Sequence, residues 1–221
     1  VFILDDQFVW GEERTIKILD GIKNLNLEIA LLARCDMITS KKLTDAMKKA
    51  GVSHVDLGIE SYDQKILDYI KKDMDIKTVD QSVSLLKKSG IEPEVNVLIG
   101  SCPLETKKSI KRTFDKVEDL DVEIVHTKIC APFPGTEFNR IAKEKGWMLT
   151  KEYIPIDPAN QAQISYDHLT DKDLTELSKK FYKRHYFNPR YLFKQLIKLS
   201  SFKELKNKLK TAYRMWRNVI K

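Results

Sequence analysis

Residues 48–63 read Lys-Lys-Ala-Gly-Val-Ser-His-Val-Asp-Leu-Gly-Ile-Glu-Ser-Tyr-Asp. This is the pattern of a helix end, a tight turn, a strand and an abrupt polar cluster. Ala50-Gly51 closes the helix, because glycine accepts the left-handed conformation that a C-cap needs. Val52, Val55, Leu57 and Ile59 form an apolar run of strand length. Gly58 within that run leaves room for something to approach the backbone. Glu60 and Ser61 come next, at the strand's C-terminal end. In a parallel α/β sheet that end is where ligands gather, and a carboxylate there needs a partner.

The same unit recurs on both sides of this stretch. Val1–Asp5 reads as a strand ending in Asp5-Asp6, and Glu12 to about Lys23 as a helix. Glu28–Ala33 is a second strand, ending in Arg34. Thr39 or Ser40 caps the next helix. After the strand at Val52, helices are expected over Tyr62–Lys72 and Thr78–Ser89, with a strand over Glu94–Ile99 that ends at Gly100. Thr106–Asp119 is helical, Val122–Ile129 is a fifth strand, and Glu137–Lys145 is the helix after it. Alternating strands and helices imply parallel pairing with right-handed crossovers. Parallel strands are then expected to be apolar on both faces. There is no G-x-G-x-x-G after the first strand, so a barrel or part-barrel is favoured over a dinucleotide-binding sheet.

The 221 residues carry 39 Lys+Arg against 32 Asp+Glu, a net +7. The basicity belongs to a tail. From Lys179 onward 14 basic residues face one acid, Glu204, so the rest of the chain is acidic. Such a tail is a solvated helix face, or a surface for an anionic partner; nucleic acid is not favoured. Cys35, Cys102 and Cys130 are few and far apart, which fits free thiols in a reducing, cytoplasmic compartment. No pair has the spacing of a zinc or iron–sulfur ligand set. No run has the length of a membrane span. The chain opens without Met inside V-F-I-L, which reads as a fragment whose N-terminal part has been removed.

The chemistry lies in the residues just past each strand. Asp5, Asp6, Arg34, Glu60, Ser61, Gly100 and the Pro134-Gly135 turn all fall at C-terminal strand ends, which this fold class gathers on one face. Carboxylates with a guanidinium complement a zwitterion, and Ser61 with a carboxylate can hold ribose hydroxyls. An Arg–carboxylate network that only supports the fold is the plain alternative for Arg34. Two other functions stay open: a divalent-metal hydrolase or lyase using Asp5, Asp6, Glu60 and His126, and a non-catalytic degenerate barrel serving as a binding module. Cys35 and Cys102 read as packing residues, His126 as a structural histidine, and Glu105-Thr106 as a helix cap.

Five motifs, L-D-D-Q-F, A-R-C-D, A-G-V-S-H-V-D-L-G-I-E-S, I-G-S-C-P-L-E-T and P-F-P-G-T-E-F, stand in the order and spacing of radical S-adenosylmethionine enzymes. Over Val1 to about Leu149 the chain resembles the branch that often carries an N-terminal cobalamin-binding domain, and Y-F-N-P-R-Y-L is similar to that branch too. The resemblance implies a partial (β/α)6 TIM-like barrel, here missing its first strand, and a C-terminal helical appendage. It implies S-adenosylmethionine and a 4Fe–4S cluster that together release a 5′-deoxyadenosyl radical, for methylation, cyclisation or rearrangement of an organic substrate. Cobalamin is a further cofactor it suggests. By motif, Asp5 and Asp6 lie near the cofactor's methionine end, and Arg34 pairs with its carboxylate or another site carboxylate. Glu60 and Ser61 match ribose and amino-acid contacts. Val97, Ile99 and Gly100 match the strand edge beside adenine, and Phe133, Pro134 and Gly135 a turn near adenine or substrate. Two departures stand out. The C-x-x-x-C-x-x-C cluster motif is absent, so this chain alone should not perform the chemistry. G-S-C-P-L-E-T also replaces the family's G-x-P-G-E-T.

The domain expectation is a barrel segment over 1–149, an irregular connection over 150–169 and a basic helical segment over 170–221. Thr170-x-x-Asp173, Pro189 and Ser201-x-x-Glu204 each start a helix. The last carries Leu205, Leu209, Ala212, Trp216 and Val219 on one stripe. These helices are expected to pack on the barrel or on the missing domain, or to meet a membrane surface.

Overall fold

The structure, a computed structural model, describes residues 1–5, 7–155, 161–199 and 201–217. Asp6 and Val219 therefore lie outside the described residues. Five strands form one sheet in the order β1-β2-β3-β4-β5: β1 Phe2–Ile3, β2 Ile29–Ala33, β3 Val52–Glu60, β4 Glu92–Ile99 and β5 Ile124–Ile129. The registers from β1 through β4 are parallel, and Cys130 N–H donates to the Ile99 carbonyl where β5 leaves β4 (2.8 Å). The helices between are α1 Glu12–Ile22, α2 Lys41–Lys49, α3 Gln64–Tyr69, α4 Lys77–Lys88 and α5 Lys107–Asp119. After β5 come α6 Glu137–Glu144, α7 Asp171–Tyr186, α8 Pro189–Ile197 and α9 Phe202–Met215. This is an α/β fold with a five-stranded parallel sheet. Sequential order, with no reversal, excludes the switch point of a doubly wound sheet.

Local chemistry explains the element ends. Ser40 Oγ, not Thr39, accepts from Leu43 N–H to start α2 (3.1 Å). Gly51 closes it at φ 93°. Thr106 Oγ1 caps α5 through Ser109 N–H (3.1 Å). Thr170 and Asp173 complete a capping box on α7. The first strand is shorter than expected, because Asp5 turns away from the sheet and accepts from Gln7 N–H.

By internal contacts the chain forms two compact units, one of Val1–Leu98 with Arg112–His126 and one of Ile99–Lys111 with Thr127–Lys221. In the first, Leu31, Val55, Leu57 and Val95 are fully buried on one sheet face, as are Leu43 and Met47 of α2 and Leu86 of α4. The other face corrects the expectation of strands apolar on both sides. β4 alternates strictly and β3 does so from His54 on; His54, Asp56, Gly58 and Glu60 on β3, with Glu92, Glu94 and Asn96 on β4, are only half-buried. Apolar residues at every second position pack under helices, and the intervening polar ones line the half-buried face.

In the second unit, Phe181 and Leu174 of α7, Ile164 and Ala142 are buried. The connection after α6 is tied by the bridges Met148↔Ile164 and Tyr166↔Leu169. Tyr182 Oη accepts from Thr127 N–H (3.0 Å) and donates to the Thr127 carbonyl (3.1 Å), docking α7 on β5. Tyr182→Phe strands both buried backbone groups. A loss of about 1–3 kcal/mol is expected, read as a lower midpoint in urea with an unchanged slope.

Candidate functional site

The end of β3 is irregular where the site begins. Register against β4 shifts between Gly58 and Glu60, a bulge, and Glu60 sits at φ 59°. A non-glycine residue there costs roughly 1–2 kcal/mol, and such strain is typical of functional positions. Its carboxylate Oε1 accepts from Lys72 Nζ at 2.8 Å, with the two side chains only 20% and 18% exposed. A Cβ on Gly58 would meet Glu60 Oε1 at 2.9 Å and Lys72 Nζ at 3.2 Å. What approaches the backbone at Gly58 is therefore this ion pair.

Lys72 lies in a turn between two more left-handed residues, Lys71 (φ 55°) and Asp73 (φ 48°). Arg34, at the end of β2, holds that turn. Its Nη2 donates to the carbonyls of Lys72 (2.8 Å) and Asp73 (3.0 Å). Nε and Nη2 form a fork on Asp36 (3.0 and 2.9 Å). That hydrogen bond to Asp36 raises the guanidinium's pKa further, against burial. Of the two partners expected for Arg34, the structure shows the protein carboxylate. Asp36, Arg34, Lys72 and Glu60 thus form one continuous network, which brings Arg34 and Glu60 together through Lys72.

The other expected residues divide. Ser61 is 2% exposed; its Oγ meets Thr113 Oγ1 and accepts from Asp63 N–H, a structural use. Val97 and Ile99 are buried on the apolar face, leaving only their backbone for a ligand. Gly100 (φ 73°) is crowded by Leu174 and Ile164, 3.0 and 3.3 Å from where a Cβ would stand, and its carbonyl accepts from Tyr166 Oη. Packing explains that glycine. Phe133, Pro134 and Gly135 form an exposed turn closed by Thr136 N–H on the Phe133 carbonyl, and Phe133 lies 5.0 Å from the Tyr153 ring. Asp5 is exposed on its own turn. The G-S-C-P-L-E-T loop folds on itself: buried Glu105 accepts from Ser101 N–H (2.9 Å), so it caps its own loop and not α5.

Sequence reasoning missed Lys72 and Asp36, and it missed the polar row on the half-buried sheet face. Asp56 and Glu94 are register partners there. Asn96 Nδ2 donates to Asp56, while Asn96 Oδ1 is buried without a partner. His126 Nε2 stands 3.7 Å from Glu94 Oε2. The period-two pattern V-D-L-G-I-E and E-V-N-V-L-I was the available signal.

Among the described residues no three His, Cys, Asp or Glu side chains converge as metal ligands. Glu60 is held by Lys72 and His126 stands by Glu94, so among the described residues Asp5, Glu60 and His126 form no ligand set. The cysteines do not fit an iron–sulfur cluster either. Cys35 and Cys102 are buried, and burial pushes each thiol up from 9.0 to about 11. Since the thiolate is the reactive form, both should resist iodoacetamide at pH 8 when folded and react in urea, as peptide mass mapping would read. Their neutral form favours the folded state. That contribution is intact below pH 9 and is lost as pH climbs toward about 11.

Residues 8–117 match the family model of the Radical SAM superfamily. The chain belongs to that superfamily. It is 30% identical over 203 residues to the uncharacterized methyltransferase PH0819 of Pyrococcus horikoshii, covering 90% of this chain and 43% of that one. It is 28% identical over 102 residues to the anaerobic magnesium-protoporphyrin IX monomethyl ester cyclase of Rubrivivax gelatinosus, 46% of this chain and 18% of that one. Among solved structures, the cobalamin-dependent S-adenosylmethionine radical enzyme OxsB, with aqua-cobalamin and S-adenosylmethionine bound, superposes with a TM-score of 0.63 at 17% identity. That match covers 98% of this chain and 38% of OxsB, and it shows a shared radical SAM fold. The chain spans less than half the length of the curated relatives it matches.

Proposed function

We propose that this radical SAM chain supplies the S-adenosylmethionine-binding part of a methyltransferase or cyclase acting on an organic substrate. The observation that carries this is the Glu60–Lys72 pair at the bulged end of β3. A side-by-side carboxylate and ammonium complement the ammonium and carboxylate of an amino acid. Glu60 Oε2 makes no hydrogen bond among the described residues, so it can accept from the ligand's ammonium, while Lys72 Nζ meets its carboxylate. Arg34 is a positioning residue that fixes the Lys72 turn. By motif, the strand-edge backbone at Val97 serves the adenosyl end and Asp5 the methionine end. The polar row Asp56, Asn96, Glu94 and His126 faces the substrate.

Bound there, S-adenosylmethionine supplies the adenosyl radical or the methyl group. A 4Fe–4S cluster would need cysteines other than Cys35, Cys102 and Cys130, so this chain alone binds but does not turn over. The family resemblance implies cobalamin on an N-terminal domain, and OxsB, of similar fold, has aqua-cobalamin bound. Sequential parallel strands, whose crossovers are right-handed as a rule, support a partial barrel, and a reducing cytoplasm suits the free thiols. Calorimetric titration with S-adenosylhomocysteine tests the reading. Binding to the wild type that weakens in Lys72→Met supports it. No binding, or binding indifferent to Lys72, contradicts it.

A further inference from the structure

Helices α8 and α9 carry large apolar side chains into solvent. Phe193, Leu196 and Ile197 are 64%, 57% and 68% exposed, and Leu209, Tyr213 and Trp216 are 62%, 59% and 44% exposed. On α9, Leu205, Leu209, Ala212 and Tyr213 recur at helical spacing and share one stripe, which Trp216, just past the helix end, continues. Lys206, Lys210, Arg214 and Arg217 flank that stripe and are all exposed. On α8, Leu192, Phe193, Leu196 and Ile197 form the stripe, with Arg190, Lys194 and Lys198 beside it. Lys208 Nζ donates to Gln195 Oε1 (2.9 Å), so the two helices are linked side by side.

We infer that α8 and α9 form an interfacial anchor that lies on an anionic lipid surface. Two features of the pair select this occupant over a protein groove. The charge is one-sided, ten basic residues to one acid from Pro189 onward, which matches a surface of uniform negative charge. The apolar stripes are bordered by Lys and Arg and carry Tyr and Trp, the composition of helices that sink into the headgroup boundary with their cations in water. Among the described residues no helix is long and apolar enough to cross a membrane, so the pair rests on the surface.

Vesicle co-sedimentation of the whole chain tests this. Vesicles of phosphatidylcholine alone are compared with vesicles containing 30% phosphatidylglycerol, roughly the anionic content of an acidic leaflet. The expected result is binding at least tenfold stronger to the anionic vesicles, falling as salt rises. Combined Lys206→Gln, Lys210→Gln and Arg214→Gln should lower it by about a hundredfold, and Phe193→Ser with Trp216→Ser should abolish it. All five positions are exposed, so the folded state should survive, which far-UV circular dichroism checks. No anionic binding by the wild type, or equal binding to neutral vesicles, overturns the inference. So does a dimer in analytical ultracentrifugation that the Phe193/Trp216 variant dissolves without any lipid association.

Discussion

Replacing Glu60 by alanine should weaken S-adenosylhomocysteine binding by about a hundredfold. Two effects act together. The ligand's ammonium loses a charge-assisted hydrogen bond, worth about 1.5–3 kcal/mol, and each 1.4 kcal/mol is roughly tenfold in affinity. Lys72, with 18% of its side chain exposed, also loses its only acidic partner in the network. Glu60→Gln keeps the shape but not the charge, and it should fall between. Stability provides an internal control. At φ 59° glycine is unstrained, so Glu60→Gly should be about 1 kcal/mol more stable than Glu60→Ala, although both bind poorly. Calorimetry and thermal melting read the two effects separately. Unchanged affinity in Glu60→Ala would mean that the ion pair is only structural.

Gly51→Ala should destabilise the fold by about 3 kcal/mol or more. The added Cβ would stand 2.0 Å from the Leu27 carbonyl oxygen and 3.2 Å from its carbon, at φ 93°. Both colliding atoms are backbone, just ahead of β2. Gly51 also accepts from Ile29 N–H at 2.9 Å, so relief would separate β2 from β3 at their starts. Gly58→Ala is the instructive contrast. Its neighbours are the ends of two flexible side chains, so stability should change little while ligand affinity falls. Urea denaturation of the two variants tells them apart; equal stabilities would contradict the geometry.

Much of this fold was legible because its signals are local. Gly51, Ser40, Thr106, Thr170 and Pro189 mark helix ends through their own backbone chemistry, and the alternation of apolar runs ordered the strands. What escaped depends on tertiary placement. Lys72 belongs to a turn with no glycine, and only its left-handed neighbours swing its side chain back to Glu60, twelve residues earlier. Ser61 looked available for a ligand because it comes directly after Glu60, but the strand's end turns it inward against Thr113. Gly100 suggested a cofactor's approach, whereas Leu174 and Ile164, more than sixty residues downstream, fill that space. The polar row on β3 and β4 was written in the period-two pattern and was overlooked because parallel strands were expected to be apolar on both sides.

The most direct measurement is a crystal structure of the chain soaked with S-adenosylhomocysteine. The ligand's ammonium should lie within hydrogen-bond reach of Glu60 Oε2, and its carboxylate should lie against Lys72 Nζ with Arg34 still on the Lys72 and Asp73 carbonyls. Density for the amino-acid end elsewhere, with the Glu60–Lys72 pair undisturbed, would contradict the account.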